Sequence, residues 1–142
     1  MQTAGAAKLL YTARIYTTGG REKGTARSSD GRIDLKLSIP GGPGTGANPE
    51  QLLAAGWSAC FESAMGLAAR KRKIALPADF AIDAEVDLNL AGGDDYFLRA
   101  RLNVSVPGLD RAVAQELVDA GEMICPYSKA LKGSIDVTLT LV

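Results

Sequence analysis

Cys60 and Cys125 are the two cysteines of a 142-residue sequence that contains no histidine. Without histidine, the usual zinc sites and any histidine-based triad are unavailable, so chemistry would use cysteine, carboxylate, lysine, arginine or tyrosine side chains. Two cysteines in a chain that starts without a secretory signal suggest redox chemistry if they meet in the fold, because structural disulfides are rare in the cytosol. The alternative is that both are ordinary core cysteines, since free cysteine is among the most buried residue types.

The segment Asn48–Arg72 is predicted to form one long helix with Cys60 near its middle. Asn48 is a favourable N-cap, and Pro49 fits the first helical position, where no N–H group is needed. Small residues from Ala54 to Ala59 would let another segment approach this helix closely. We expect an apolar stripe to face the interior, consisting of Leu53, Trp57, Cys60, Ala64 and Leu67.

Cys125 is followed by a proline and is predicted to be the N-cap of a short helix from Pro126 to about Leu131. Proline disfavours the helical conformation at the residue before it and is well suited to the first position of a helix. Backbone N–H groups at a helix N-terminus stabilise a thiolate. Cys125 would therefore be a competent leaving or resolving thiol.

The remaining elements must position these two helices. Alternating apolar residues and turn signals predict strands at 10–17, 25–28, 33–39, 82–90, 98–106 and 135–141. Asp110 is predicted to cap an amphipathic helix that ends near Met123, with Val113, Leu117 and Val118 on its inner side. A loop at 40–47 lacks the Lys-Ser or Lys-Thr pair of a phosphate-binding loop. The order βββαββααβ, with meanders rather than parallel crossovers, indicates the α+β class.

Length and charge exclude several classes of protein. The chain fits a single domain, residues 1–142. Sixteen basic and sixteen acidic residues give no electrostatic footprint for a nucleic acid. We expect a cytoplasmic protein without a membrane span, because no apolar run approaches the roughly 20 residues that a span needs.

Recognisable segments are spread over nearly the whole chain: TGGREK, SSDGRIDLKLS, ANPEQLLAAGWSACF, ALPAD, VPGLDR, ICPYSKA and GSIDVTLTL. In these segments the chain resembles the organic hydroperoxide resistance (Ohr) proteins of the OsmC/Ohr superfamily. The resemblance implies a thiol-dependent peroxidase that reduces organic hydroperoxides to alcohols. In this sequence Cys60 would be the peroxidatic cysteine, Cys125 would resolve it through an intrachain disulfide, and Arg21 with Glu50 would be supporting residues.

The resemblance also implies an OsmC-like fold with antiparallel sheets around a long central helix, assembled as an intertwined homodimer. It implies no bound cofactor or metal and an external dithiol reductant, such as dihydrolipoamide or a lipoylated protein. If these roles hold, each active site is shared between two subunits. Glu50 and Cys60 are ten residues apart on one helix, which separates them by about 15 Å along its axis.

The supporting residues also have a physical explanation. A thiolate in apolar surroundings needs a nearby cation, which Arg21 can supply and Glu50 can hold in place through a bidentate ion pair. The alternatives are that Arg21 is an exposed turn residue and that Glu50 interacts with the dipole at the start of the helix.

Four large side chains close to the cysteines in sequence are candidates for an apolar substrate pocket: Trp57, Phe61, Met65 and Tyr127. Their alternative role is plain core. Two other functions compete with the leading one. The protein could be an OsmC-type peroxidase with a different substrate preference, or a non-catalytic module that binds a lipid and reports oxidation through its cysteines.

Overall fold

The computed structural model describes residues 5–142 and divides into two compact units, the residues up to Pro49 and Glu50–Val142. Its elements, in chain order, are β1 (Ile15–Thr18), α1 (Gly20–Lys23), β2 (Thr25–Ser28), β3 (Asp34–Lys36), α2 (Pro49–Lys71), β4 (Ala81–Ala91), β5 (Asp95–Ser105), α3 (Arg111–Ile124), α4 (Pro126–Leu131) and β6 (Asp136–Leu141). The α+β class is confirmed, as is the predicted order, to which the structure adds the single turn α1.

The N-terminal unit contains an antiparallel sheet in the order β1-β2-β3. The turn between β2 and β3 forms at Asp30-Gly31, a dipeptide favoured in tight hairpin turns, and Gly31 has a φ of 77°. The Asp30 carboxylate holds this turn by accepting hydrogen bonds from the Ser28 hydroxyl at 2.6 Å and the Arg32 N–H at 3.0 Å. A side chain that bonds to nearby backbone in this way is typical of Asp in turns.

Three details of the N-terminal prediction were wrong. The first strand begins at Ile15 rather than residue 10, and the third covers only Asp34–Lys36. Arg21 is exposed and lies in the short helical turn α1, which the prediction did not include. This turn depends on glycine, because Gly19 has a φ of 81° and a Cβ on Gly24 would clash with the carbonyl oxygens of Thr18 and Gly20.

The loop at 40–47 has no regular structure, as predicted, but it is fastened at its end. Leu37 and Ala47 form an isolated parallel bridge. The Ala47 N–H donates to the Lys36 carbonyl at 2.9 Å, and the Gly46 N–H donates to the Ser38 hydroxyl at 2.9 Å. These bonds satisfy backbone groups at the end of β3 and fix the point from which the chain enters the long helix.

Helix α2 begins at Pro49, as predicted, and runs to Lys71. Its buried face is rotated relative to the predicted stripe. The fully buried residues are Trp57, Phe61, Ala64, Met65, Ala68 and Ala69, whereas Leu53, Cys60 and Leu67 are half-buried. The prediction was wrong because small alanines, which give little signal in a hydrophobic pattern, occupy much of the core-facing side.

The C-terminal unit is built on a second sheet in the order β4-β5-β6. Strands β4 and β5 form the predicted hairpin, with Val86 opposite Ala100. Strand β6 pairs parallel to β5, with Leu139 opposite Leu102, so the expectation of meanders alone was wrong. Helices α3 and α4 connect β5 to β6 and form the long crossover that parallel pairing requires.

Helix α3 begins at the predicted cap, where the Asp110 carboxylate accepts a hydrogen bond from the Val113 N–H at 3.1 Å. Leu117 and Val118 are buried, and Val113 is half-buried. Together with α2 and the inner face of β5 they form the core of this unit, which also contains Ala100, Leu102, Val104, Val106, Ala114, Cys125 and Leu141.

Helix α2 is also long and apolar enough to cross a membrane, judged by length and composition alone. This is weak evidence, because the core helix of a soluble protein passes the same test. The statement that no apolar run approaches this length was therefore wrong. Its face with Trp57 and Phe61 packs in the protein core.

Candidate thiol site

The fold brings together the thiols of Cys60 and Cys125, which are distant in sequence. Both are free thiols, and the Cys125 side chain lies close enough to Cys60 to raise the pKa of its thiol. Cys125 is completely buried, whereas Cys60 is partly exposed. Of the two, Cys60 is therefore the thiol that a molecule from solvent could reach.

The surroundings of Cys60 oppose its ionisation. Burial raises the pKa of the Cys60 thiol, and the neighbouring Cys125 side chain raises it further. One group acts in the other direction, because the Tyr127 backbone N–H bonds to the Cys60 sulfur and lowers its pKa. A hydrogen bond donated to sulfur favours the thiolate, whereas removal from water disfavours it.

Cys125 lies at the junction of two helices, as its Cys-Pro sequence predicts. Its N–H donates to the Gly121 carbonyl at 2.8 Å and closes α3, while its own carbonyl accepts from the Lys129 N–H at 3.0 Å in the first turn of α4. Its φ of −64° and ψ of 119° are extended, as expected before a proline. Both helices therefore fix the backbone that carries the thiol.

Two further contacts join α2 to α4 beside the thiols, and sequence analysis identified neither. The Trp57 indole Nε1 donates a buried hydrogen bond of 3.0 Å to the Ser128 hydroxyl. The ring of Tyr127 lies over Gly56, where a Cβ would come within 2.5 Å of the Tyr127 hydroxyl. A signal was present, because an indole N–H on a buried stripe requires an acceptor. The sequence did not show which residue provides it.

The candidate pocket residues lie in two different environments. Trp57, Phe61 and Met65 are fully buried, whereas 38% of the Tyr127 surface is exposed. Met65 packs against Gly121 of α3, where a Cβ would lie 2.7 Å from the Met65 Cγ.

Trp57 and Phe61 also line a cavity of about 270 Å³, bounded by residues of β5, β6, α3 and α4. Neither cysteine is among its lining residues. The role of these side chains toward substrate stays a prediction.

The supporting residues Arg21 and Glu50 are placed as follows. Arg21 belongs to the N-terminal unit, and Glu50 lies in the first turn of α2. Glu50 and Cys60 are therefore separated by about 15 Å along the axis of one helix. The roles of both residues stay predictions. Within residues 5–142, no cluster of three or more His, Cys, Asp or Glu side chains is arranged to hold a metal ion.

Comparisons with known proteins agree on one family. Residues 41–140 match the family model described as OsmC-like protein. The organic hydroperoxide resistance protein of Xanthomonas axonopodis pv. citri is 49% identical over 138 residues, covering 94% of this chain and 96% of the relative. The protein OhrB of Bacillus subtilis, also named an organic hydroperoxide resistance protein, is 41% identical over 93% of this chain and 98% of its own.

The fold agrees as well. A crystal structure of an organic hydroperoxide resistance protein from Legionella pneumophila superposes with a TM-score of 0.87 at 39% identity, covering 94% of this chain and 98% of the other. The crystal structure of Bacillus subtilis OhrB gives a TM-score of 0.80 at 37% identity, over 94% of this chain and all of the other. This chain therefore belongs to the OsmC-like family, and within it to the organic hydroperoxide resistance proteins.

Proposed function

We propose that this protein is a thiol-dependent peroxidase that reduces organic hydroperoxides to alcohols, with Cys60 as the reacting thiol and Cys125 as the resolving thiol. The contact between one buried and one partly exposed thiol is the observation on which the proposal rests. The second supporting observation is the similarity to relatives whose names refer to resistance against organic hydroperoxides. The remaining steps follow from thiol chemistry.

In the first step the Cys60 thiolate attacks the distal oxygen of the hydroperoxide. A sulfur–oxygen bond forms while the oxygen–oxygen bond breaks, so the sulfur loses two electrons and becomes a sulfenic acid. The leaving alkoxide takes up a proton and departs as the alcohol. The partial exposure of Cys60 suits this role, because the substrate must approach its sulfur.

In the second step the Cys125 thiol attacks the Cys60 sulfenic acid. A sulfur–sulfur bond forms, the sulfur–oxygen bond breaks, and the oxygen leaves as water. The contact between the two side chains supports this step, since a disulfide requires Cβ atoms about 3.5–4.5 Å apart. An external dithiol, which we propose to be a lipoyl group, then reduces the disulfide by thiol–disulfide exchange and restores both thiols.

Ionisation of Cys60 needs more than the Tyr127 N–H, because burial and Cys125 both raise its pKa. We propose that Arg21 provides the positive charge and that Glu50 orients its guanidinium. Since Glu50 is about 15 Å from the Cys60 of its own helix, the carboxylate would come from the second subunit of a homodimer. Two α2 helices crossing antiparallel about a two-fold axis would bring the start of one beside the middle of the other.

The outer face of α2 supports this homodimer. Leu52 is 38% exposed, and the small residues Ala55 and Ala59 are exposed on the same side of the helix. Ala59 and Gly66 also line an open groove of about 450 Å³ whose opposite wall includes Leu76 and Phe80. Small residues permit a close approach of a second helix, and an apolar face on a surface helix is typical of an interface.

The proposal is tested by comparing turnover of cumene or tert-butyl hydroperoxide with turnover of hydrogen peroxide, using dihydrolipoamide as reductant. We expect a higher kcat/KM for the organic hydroperoxides. Equal values for hydrogen peroxide would instead indicate an OsmC-type peroxidase of different preference. Absence of turnover, with stable binding of a lipid, would indicate a binding or sensing module. A cytoplasmic location would suit a lipoylated reductant.

A further inference from the structure

The first turn of α4 is attached to the turn of α2 that precedes Cys60. Gly56 and Trp57 are neighbours in α2, and they contact Tyr127 and Ser128, which are neighbours in α4. Cys60 is four residues beyond Gly56, so the two lie one above the other on the same side of the helix.

Tyr127 makes two different contacts with this side of α2. Its ring lies over Gly56, while its backbone N–H bonds to the Cys60 sulfur one turn later. Both contacts hold the first turn of α4 against this side of α2. The Trp57 to Ser128 hydrogen bond of 3.0 Å holds the next residue of α4 from the buried side.

We propose that Gly56 and Ser128 are positioning residues of the thiol site. They hold the first turn of α4 against α2, so that the Tyr127 N–H stays on the Cys60 sulfur and Cys125 stays beside it. The absence of a side chain at Gly56 makes room for the Tyr127 ring, and Ser128 supplies the buried acceptor that Trp57 needs. This inference rests on the proposed function, because it assigns these residues to ionisation of the reacting thiol.

The first test is Gly56→Ala. Its Cβ would lie 2.5 Å from the Tyr127 hydroxyl and 3.1 Å from the ring carbon that bears it, so the ring must move off this side of α2, and the first turn of α4 loses a contact that holds it there. We expect the pH midpoint for alkylation of Cys60 by iodoacetamide to rise, and alkylation near neutral pH to slow roughly three- to tenfold, as for a weakened hydrogen bond to a charged group. Peptide mass spectrometry separates Cys60 from Cys125.

The chain provides a matched control outside the proposed dimer groove. At Gly93, in the turn between β4 and β5, an added Cβ would meet nothing within 4 Å, so Gly93→Ala should leave the alkylation midpoint unchanged. Tyr127→Phe removes the hydroxyl that causes the closest clash. The double variant Gly56→Ala with Tyr127→Phe should therefore have an alkylation midpoint close to that of Tyr127→Phe alone. Ser128→Ala should raise the midpoint, whereas Ser128→Thr, which keeps the hydroxyl, should have a smaller effect.

Alkylation is measured without peroxide or reductant, so it reports on this inference even if the protein proves not to be a peroxidase. Circular dichroism and the thermal midpoint identify variants that fail to fold. If Gly56→Ala does not fold, the comparison of Ser128→Ala with Ser128→Thr tests the proposal. A folded Gly56→Ala protein with the wild-type midpoint would overturn the proposal. A shift of the same size in Gly93→Ala would overturn it as well, because the effect would then not depend on the contact between Gly56 and Tyr127.

Discussion

The two units of the chain differ in how far they bury their apolar side chains. In the N-terminal unit every residue of β1 is exposed, and large side chains such as Leu10 and Tyr16 are 83% and 68% exposed. In the C-terminal unit Phe61, Met65 and Leu117 are 0% exposed and belong to one continuous core. The C-terminal unit is therefore stabilised by its own burial, whereas the N-terminal unit leaves much apolar surface without cover.

This difference bears on the proposed active site, because its residues come from both units. Both thiols lie in the unit with the closed core, where packing fixes side chains in defined positions. Arg21 lies in the unit that exposes apolar residues. A second copy of this chain, as proposed above, would complete the site, and we expect it to cover some of the exposed apolar side chains of the N-terminal unit.

The largest expected effects concern the thiols themselves. Cys60→Ser should reduce peroxidase activity to the uncatalysed background, because serine is not ionised and cannot form a sulfenic acid. Cys125→Ser should still consume about one equivalent of hydroperoxide and then stop, since no resolving thiol remains. Rapid mixing with stoichiometric hydroperoxide distinguishes the two. Sustained turnover in either variant would contradict the assignment of the chemistry to this pair.

Subunit mixing tests whether a second copy completes the site. Glu50→Ala and Cys60→Ser chains, each inactive alone, should regain about half of the wild-type activity per heterodimer when they are refolded together, because one of the two sites is then intact. Different affinity tags allow isolation of the heterodimer, and homodimers refolded separately are the control. Isolated heterodimers that show no activity, or a fully active monomer, would rule out shared sites.

Core substitution tests the claim that the C-terminal unit depends on its own packing. Leu117→Ala should lower the free energy of unfolding by about 2–5 kcal/mol, since it leaves a cavity under a fully buried side chain. Met123→Ala is the matched control on the same helix, because Met123 is 69% exposed, and should change the free energy by only about 0.5 kcal/mol. Urea unfolding followed by circular dichroism measures both, and similar losses would refute the comparison.

The smallest expected effect is a pH dependence of stability. The pKa of Cys60 is raised in the folded protein, mainly by burial, so the unfolded chain loses this proton first. The contribution of Cys60 is therefore present below the pKa of the unfolded thiol, about 8.5, and is lost as the pH rises through the folded value. The reduced protein should lose stability from about pH 8.5 upward. Cys60→Ser should flatten this dependence in thermal unfolding scans, and an unchanged slope would show that other groups cause it.

Much of the fold could be predicted because its signals are local. Asp30-Gly31 marks the turn between β2 and β3, Pro49 marks the start of α2, and Cys125-Pro126 marks the break between α3 and α4. Each acts through backbone conformations that are restricted within one or two residues. The α+β class and the resemblance to the hydroperoxide resistance proteins also follow from segments that are legible without a structure.

Tertiary structure decided the remaining features, because they depend on residues that are far apart in sequence. Which face of α2 is buried depends on where β5 and α3 pack. The alanines of the helix do not show from the sequence alone which side faces the core. Parallel pairing of β6 with β5 depends on the path of a two-helix crossover. The contacts of Gly56 with Tyr127 and of Trp57 with Ser128 arise only once α4 lies on α2, because each joins residues that no local pattern relates. The sequence determined that two thiols were available, and the packing of α4 on α2 decided that they meet.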